Sequence, residues 1–446
     1  MRTLANVSSV FVASIPVFLK GGSGGGKFSH ENLMKKSFFL MFAVYISFLA
    51  LGMPDGAFGV AWPGIRYEMG LPLERAAWLI VTHSIFYSLA GSQTGRLAKR
   101  FPLGKISGTG FLLLLLGIFG FSLATSIYWL IGVTAVLGCG MGLMDSGVNA
   151  FAAKKFSAKH MNWLHCFWGM GGAISPLIMR QMIIFYDWRI GYRTIFAIQA
   201  VIGIIMAISI FRNLWAEESN SQEPLNNPPQ NPASRECVPN DNLPRNSLCA
   251  GRTAVRTTAY LNSRVFMFLQ QVVFFLYTAV EYSITFWTVS VLIEGRGVAF
   301  EVAGLFPAVY LGSLMAGRFV FGYAAERISG SYIIRFGLIF SAAGLGILVF
   351  SNNIVGIALV GFGFSPAFPC LMNETKNRFN PKFLSKLVGL QIAAVGMGVA
   401  LSAIVMGRLL QRVSYEALFI TAICGVVVVL LLNEVIHFAL QRKLRK

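Results

Sequence analysis

Charged residues are scarce in this sequence. Only 12% of its 446 residues are Asp, Glu, Lys or Arg, whereas 55% are hydrophobic. Soluble domains carry about 25% charged residues, and the apolar segments here are too long and too many for a globular core, so the surrounding solvent must be lipid. The sequence also lacks the Ser/His/Asp sets, phosphate-binding loops and metal-ligand clusters that are typical of enzymes. The low content of charged residues and the lack of these motifs exclude a soluble enzyme and predict a membrane protein that needs no cofactor.

Cysteine is scarce as well, with six residues scattered along the chain. Four of them lie in apolar segments, where free Cys behaves as a small hydrophobic residue. Cys237 and Cys249 share a polar loop, but their spacing matches no metal site. We expect this loop to face a reducing cytoplasm. The cysteines therefore indicate neither a disulfide framework nor a metal centre.

Acidic residues are the rarer charge, which leaves a formal net charge of +19. Nucleic-acid binding requires basic residues gathered on one face or in one tail. Here they fall in alternate short loops between apolar segments, which is how Lys and Arg set membrane orientation. With these loops inside, we expect a protein of the inner membrane with both termini in the cytoplasm. The basic loops carry Lys99, Arg100 and Lys105; Lys154, Lys155 and Lys159; Arg327 and Arg335; and Lys376, Arg378, Lys382 and Lys386.

Long apolar runs make up most of the chain and predict about twelve transmembrane helices. The expected fold is all-α, with two six-helix bundles joined by a cytoplasmic linker. The predicted spans are Ser37–Trp62, Ala76–Leu97, Ile106–Thr125, Tyr128–Ala152, Met161–Ile184 and Tyr192–Phe211, followed by Val265–Ile293, Val302–Gly322, Ile333–Phe350, Ile354–Leu371, Leu384–Met406 and Ala417–Leu440.

Composition also predicts four parts along the chain. Residues 1–33 contain an apolar run too short to span and a glycine-rich segment, so they are expected to be a disordered extension or one absent from the mature protein. A signal peptide is the alternative, although no clear cleavage site precedes the glycines. Residues 34–213 form the first bundle and 265–446 the second bundle with a basic tail. Residues 214–264, rich in Asn, Pro and Ser, are expected to be a disordered cytoplasmic linker.

Deletion of residues 2–33 is expected to leave membrane insertion and transport intact. Lys35 and Lys36 already place the start of the first span inside, and Met34 provides a start residue. Immunoblots of membrane fractions and uptake assays on the shortened chain test this. Loss of both insertion and transport would contradict it.

Two carboxylates lie inside predicted spans, Asp55 in the first and Asp145 in the fourth. Asn149 follows Asp145 by one turn on the same helix face. A carboxylate in the membrane interior is costly, and a chain keeps one mainly where it lines a cavity or a proton path. The alternative is a structural acid that accepts hydrogen bonds from a neighbouring helix. The glycines that let such a helix approach Asp145 are Gly138, Gly140, Gly142 and Gly147.

The surroundings of the two acids predict different roles. Asp145 has small and apolar neighbours that offer few hydrogen-bond donors, and this favours the neutral acid form. Asp145 is therefore the expected proton carrier. Pro54 and Gly56 flank Asp55, and we expect an irregular helix there with backbone groups free to bind solvent or ligand. Asp55 is therefore expected to contact substrate as well as to share in proton coupling.

Further polar and aromatic residues inside the spans are candidates for binding substrate. Tyr277, Glu281 and Thr285 follow one another at steps of four and share a helix face. Carboxylates and amides bind hydroxyl groups directionally, and aromatic faces stack on sugar C–H surfaces, which favours a sugar or polyol. Single polar groups also serve as contacts between helices, and for His83 and Gln391 this alternative is open. The complete set is Asn149, His83, Tyr87, His165, Tyr277, Glu281, Thr285, Trp287 and Gln391.

A short repeat marks corresponding loops of the two halves. It reads GRLAKRF at 95–101 and GYAAERI at 322–328, and the chain here resembles the major facilitator superfamily, whose loop motif is G-x-L-A-D-R-x-G-R-K. In that family the motif's acid helps to lock the cytoplasmic side. The resemblance implies such a lock at Glu326 but not in the first copy, where Lys99 replaces the acid. The implied gate residues are Gly95, Arg96, Arg100, Gly322, Glu326 and Arg327.

More specific segments resemble the fucose permease branch of this superfamily. They are LGMPDG at 51–56, GLMDSGVN at 142–149, HMNWLH at 160–165, EYSITFW at 281–287 and FSPAFP at 364–369. This branch contains sugar transporters and many members of unassigned substrate, so the resemblance implies a symporter of a small polar solute. We expect it to be a monomer that works by alternating access. H⁺ is the expected coupling ion, with Na⁺ as the alternative. An exporter working by proton antiport and a sensor that binds a solute without moving it also stay open.

Overall fold

The structure is a computed structural model that describes residues 27–156, 158–212, 214–215, 260–261, 263–325 and 327–444. Most of residues 1–33 and 214–264, with the predictions made for them, lie outside these ranges. Within them, helix is the only extended regular structure. The helices are α1 Lys27–Glu68, α2 Ala76–Leu97, α3 Leu103–Ser122, α4 Ile127–Lys155, α5 Ala158–Phe185, α6 Trp188–Phe211, α7 Arg264–Ser290, α8 Phe306–Ala324, α9 Gly330–Phe350, α10a Ile354–Phe364, α10b Ala367–Arg378, α11 Pro381–Arg412 and α12 Ala417–Leu444.

In the described ranges, ten helical segments are long and apolar enough to cross a membrane. Every long helix except α2 and α5 contains one of these segments, and α10a and α10b together form one. The helices α2 and α5 are of similar length but carry more polar side chains. The predicted all-α membrane fold is confirmed, and two long helices are less apolar than the rest.

Two units divide the chain, one ending at Phe42 and the other running from Ala43 to Lys446. The first unit contains the beginning of α1, which starts at Lys27 and so precedes the predicted start at Ser37. Its apolar part begins at Phe38, close to the prediction. The sequence between Lys27 and Ser37 has neither Gly nor Pro, so nothing ends the helix where the apolar run begins.

In the second unit, the helices pack in two sets. In the first set, α4 packs against α2 and α3, and α6 packs against α3 and α5. In the second set, α7 packs against α11 and α12, α9 against α10a and α12, and α8 against α10a. The sets meet where α2 packs against α11, where α5 packs against α8, and where Phe58 of α1 contacts Phe286 of α7.

Helix α1 is continuous through Pro54, although the sequence predicted an irregular helix there. Proline has no N–H to donate to the carbonyl four residues earlier, which leaves the Ala50 oxygen without its helical partner. The Gln199 side chain of α6 supplies that bond, with its Nε2 atom 2.9 Å from the Ala50 oxygen. The expectation of an irregular helix was wrong because a neighbouring helix satisfies the freed carbonyl.

At one end of the bundle, which we call the Arg66 end, polar contacts join the two helix sets. Arg66 at the end of α1 donates to Glu294 just beyond α7, with 2.8 Å between Nε and Oε1. The Tyr415 hydroxyl donates to the same carboxylate at 2.8 Å. Nearby, the Leu73 amide donates to the Gln411 side chain at 2.8 Å. These contacts hold the two sets together at this end.

At the opposite end, polar contacts join helices of the second set to one another. Arg335 of α9 forms an ion pair with Glu434 of α12 at 2.6 Å. Arg378 of α10b donates to Asn433 at 2.8 Å and to Gln270 of α7 at 3.1 Å. These bonds stabilise one set and do not fasten it to the other.

Candidate functional site

Glycines on α4 bring α2 into close contact with it. A Cβ atom at Gly142 would overlap the backbone of Tyr87, and one at Gly138 would lie 2.7 Å from the His83 oxygen. Both α2 residues therefore lie next to α4. This packing, which the sequence predicted for the glycines, places two polar side chains of α2 beside the acid of α4.

Asp145 accepts hydrogen bonds on both carboxylate oxygens. The Tyr87 hydroxyl is 2.5 Å from Oδ2, and the Asn149 Nδ2 atom is 2.8 Å from Oδ1. The Asn149 bond agrees with the one-turn spacing in the sequence. The donor from Tyr87 corrects the expectation that Asp145 has few donors nearby, because Tyr87 belongs to another helix. The half-buried carboxylate is held in one orientation and retains its proton-binding oxygens.

Asp55 and His83 line one cavity at the centre of the first set. The cavity wall is mostly apolar, and Tyr282 of α7 contributes to it from the second set. The His83 Nε2 atom lies 3.3 Å from the Met141 sulfur. The Asp55 carboxylate also interacts with the Trp168 indole of α5. The cavity therefore combines an acid, an imidazole and aromatic rings.

On α5, His165 occupies an exposed position with its ring edge against Phe48, at 5.6 Å between ring centroids. Glycines set α5 against α1. A Cβ atom at Gly52 would overlap the Trp168 carbonyl, and one at Gly171 would overlap the Leu49 carbonyl. This close contact fixes Trp168 beside the acid of α1.

On α7, Tyr277, Glu281 and Thr285 follow one face, as their spacing predicts. Tyr277 interacts with Glu281, and the Thr285 hydroxyl donates to the Glu281 carbonyl at 2.8 Å. Glu281 and Thr285 are half-buried, whereas Val280 and Ile284 on another face are buried. The acid and threonine therefore lie on the more accessible side of the helix.

Cysteines at 281 and 285 are expected to react with a small polar thiol reagent in a background without native cysteines. Substrate is expected to slow both reactions, because these positions are half-buried on the polar face of α7. Cysteines at 280 and 284 are matched controls that lie in the packed core. Equal labelling rates at all four positions, without protection by substrate, would place this face in helix packing.

Arg318 of α8 is a functional candidate that sequence reasoning missed. Its guanidinium lies over the Trp168 ring, 5.6 Å from the centroid. It also interacts electrostatically with Glu281, Tyr277 and His165. The available signal was a single charged residue in the apolar segment Phe306–Ala324, the same kind of signal that identified Asp55.

Trp287 and Gln391 pack between helices of the second set. Trp287 is fully buried, with its ring 4.7 Å from that of Phe286 and against Gly407 of α11. Gln391 is also buried, and its Nε2 atom donates to the Thr375 hydroxyl at 2.9 Å. Both side chains connect helices of the second set, so we leave them out of the proposed site.

The predicted gate residues make local contacts where they are described. Arg96 donates to Gln93 at 3.0 Å, and the Arg327 guanidinium lies 5.5 Å from the Tyr323 ring. Gly95, Gly322 and Arg100 are not tightly packed. Glu326, which carries the implied lock, lies outside the described residues. The lock stays a prediction.

Two six-helix sets that meet around buried acids define the class of membrane transporters built from two repeats. The family model described as "Major Facilitator Superfamily" matches residues 40–381 and 297–443. The chain therefore belongs to the major facilitator superfamily, as its motifs predicted. It is a multi-pass membrane transporter of small solutes and not an enzyme.

Similar proteins differ in the solutes that their names give. The chain is 22% identical to the "Glucose/mannose transporter GlcP" of Bacillus subtilis (strain 168) over 344 residues, which are 74% of this chain and 78% of the relative. A solved structure of the peptide transporter POT with sulfate has a TM-score of 0.68 at 14% identity, covering 92% of this chain and 95% of the other. The nucleoside transporter NupG has a TM-score of 0.67 at 9% identity, covering 89% and 99%. At such identities the structural likeness shows the fold alone.

Proposed function

We propose that this protein is a proton-coupled symporter that imports a sugar or polyol across the inner membrane by alternating access. The observation that carries the proposal is the Asp145 carboxylate, bound by Tyr87 and Asn149 beside the cavity that contains Asp55. When Asp145 binds a proton, its charge changes while Tyr87 and Asn149 remain beside it as hydrogen-bonding partners. Asp145 carries the coupling proton, and Asp55 contacts the solute and responds to its binding.

The solute class follows from the side chains that surround the cavity. His83 and Tyr282 line the cavity, and Trp168 interacts with the Asp55 carboxylate in its wall. Together these side chains offer the hydrogen-bonding atoms and aromatic faces that suit sugar recognition. Glu281 and Tyr277 supply further polar atoms from the second set. The name of the Bacillus relative, a glucose/mannose transporter, supports this class. The resemblance to fucose permeases supports it independently through Asp55 and Asp145.

The polar cluster at the Arg66 end supports an inward-facing stage of the transport cycle. Arg66, Glu294 and Tyr415 close the end that the basic loops place outside. The end that carries Arg335 and Arg378 then faces the cytoplasm, along with both termini and the linker. The protein works as a monomer and has no nucleic-acid partner.

Uptake into proteoliposomes tests the proposal. Purified protein is reconstituted with an imposed inward proton gradient, and radiolabelled glucose, galactose, fucose and a polyol are offered in turn. Accumulation above the outside concentration, abolished by a protonophore, is expected for at least one of them. Accumulation driven only by an outward-directed gradient of protons identifies an exporter. Accumulation that requires sodium identifies Na⁺ instead of H⁺ as the coupling ion. Ligand binding without any flux identifies a sensor and overturns the proposal.

A further inference from the structure

Arg318 lies on the seam between the two helix sets. Leu311, Met315 and Arg318 follow the face that α8 presents to α5. A Cβ atom at Gly172 would lie 3.2 Å from Leu311, and one at Gly169 would lie 3.4 Å from Met315. Arg318 continues this line to the Trp168 ring. Its guanidinium is therefore placed beside the groups that surround Asp55 and Glu281.

Arg318 differs from several other arginines of the described helices in having no acidic partner in contact. Arg66, Arg296 and Arg335 each form an ion pair with a glutamate. Within the described part of the chain, Arg318 makes no ion pair, and its recorded close contact is the Trp168 ring. Glu281, the nearby acid, interacts with it electrostatically but is engaged by Tyr277.

A guanidinium presents a planar fork of N–H donors that matches a carboxylate in two parallel hydrogen bonds. Such a charge inside a membrane span is expensive unless an anion or water-filled cavity receives it. Arg318 is half-buried, so part of the fork stays accessible while Trp168 covers one face of the guanidinium. The site thus has a cation ready for an anionic group, next to side chains suited to hydroxyls.

We propose that Arg318 binds a carboxylate of the substrate, so that the preferred solute is a polyhydroxylated monocarboxylic acid such as a hexuronate. The proposal rests on the proposed function, since it assigns the substrate class of the same site. The carboxylate occupies the guanidinium fork over Trp168. The hydroxyls of the solute reach toward Asp55 and the polar face of α7.

Two probes that differ in one group test this assignment. Glucose and glucuronate share their ring hydroxyls, but carbon 6 is an alcohol in the first and a carboxylate in the second. Binding of both to purified protein at neutral pH is measured by calorimetry for the wild type, Arg318→Gln, Arg318→Lys and Arg412→Gln. Arg412, exposed in the last turn of α11, controls for the loss of one positive charge.

The wild type is expected to bind glucuronate at least about tenfold more tightly than glucose, the size of effect typical of a charged hydrogen bond. Arg318→Gln removes this preference but leaves the affinity for glucose within about threefold, because the hydroxyl contacts remain. Arg318→Lys keeps the charge without the fork, so an intermediate preference is expected. Arg412→Gln behaves as the wild type. If Arg318→Gln does not fold, the comparison of Arg318→Lys with the wild type decides.

Equal binding of glucose and glucuronate by the wild type overturns the assignment. An unchanged preference for glucuronate over glucose in the folded Arg318 variants also overturns it. The Arg318 side chain would then extend toward the membrane surface instead of toward the substrate. Failure of glucuronate to bind also overturns it, whatever happens to glucose. Because these outcomes concern binding, they are separate from uphill uptake. Proton-driven glucose uptake without a carboxylate preference leaves the proposed function intact and removes only this inference.

Discussion

Asp145→Asn is expected to lower the accumulation ratio of the substrate to about one, the value of passive equilibrium, because a flux uncoupled from protons cannot work against a gradient. Asparagine keeps the size of the side chain and one oxygen for Tyr87, but it cannot bind and release a proton. Exchange of labelled for unlabelled substrate across the vesicle membrane should persist, since it requires only the movement of the loaded carrier. Proteoliposomes assayed for uptake under a proton gradient and for counterflow without one measure both quantities.

Two further variants separate proton transfer from structure. Tyr87→Phe removes the 2.5 Å hydrogen bond to Oδ2 but leaves the acid in place, so coupled accumulation should survive. Asp55→Asn should weaken both accumulation and counterflow, because Asp55 lines the cavity that we propose binds the substrate. If Asp145→Asn still concentrates substrate under a proton-motive force, Asp145 is a structural acid and the coupling role is wrong.

The sequence predicted the features that depend on local spacing. Apolar runs gave the helices, and the four-residue step from Asp145 to Asn149 gave their hydrogen bond. Both acids were recognised because a carboxylate is rare inside a membrane span. The glycine pattern on α4 also predicted that a neighbouring helix comes close. These signals need no knowledge of which helices are neighbours.

What the sequence did not predict are contacts between helices far apart in the chain. Tyr87 meets Asp145, and Gln199 satisfies the carbonyl freed by Pro54, but no spacing encodes either pair. Local spacing on α7 likewise does not predict that α11, a helix distant in the chain, covers the Trp287 ring. Arg318 is a different case. Its charge was visible in the sequence, although its position over Trp168 was not.

The contacts at the Arg66 end determine how readily the carrier opens there. Arg66 and Glu294 retain 22% and 16% of their side-chain exposure, so water screens this pair less than a surface ion pair. The Tyr415 hydroxyl adds a third group, and burial together with its hydrogen bond to Glu294 raises the pKa of Tyr415 to about 12. Tyr415 therefore remains a neutral donor at physiological pH. In the proposed orientation, outward opening must break this cluster, because Arg66 and Glu294 belong to different helix sets.

Glu294→Gln is expected to shift the equilibrium toward the outward-open arrangement by about 2 kcal/mol, a change of about 30-fold in the equilibrium constant. This value lies between the small effect of breaking a surface ion pair and the large effect of breaking a buried one. Spin labels at 67 and 413, where Tyr67 and Val413 are 90% and 72% exposed, report the distance between the sets at this end. In the variant, a population at longer distance should appear in double electron–electron resonance.

Arg189→Gln breaks an ion pair with Glu68 inside the first set and should leave the distances unchanged. Arg66→Gln should match Glu294→Gln, and the double variant should open little further, because either single change already breaks the pair. If the distances in Glu294→Gln equal those of the wild type, the Arg66–Glu294 pair does not hold the two sets together.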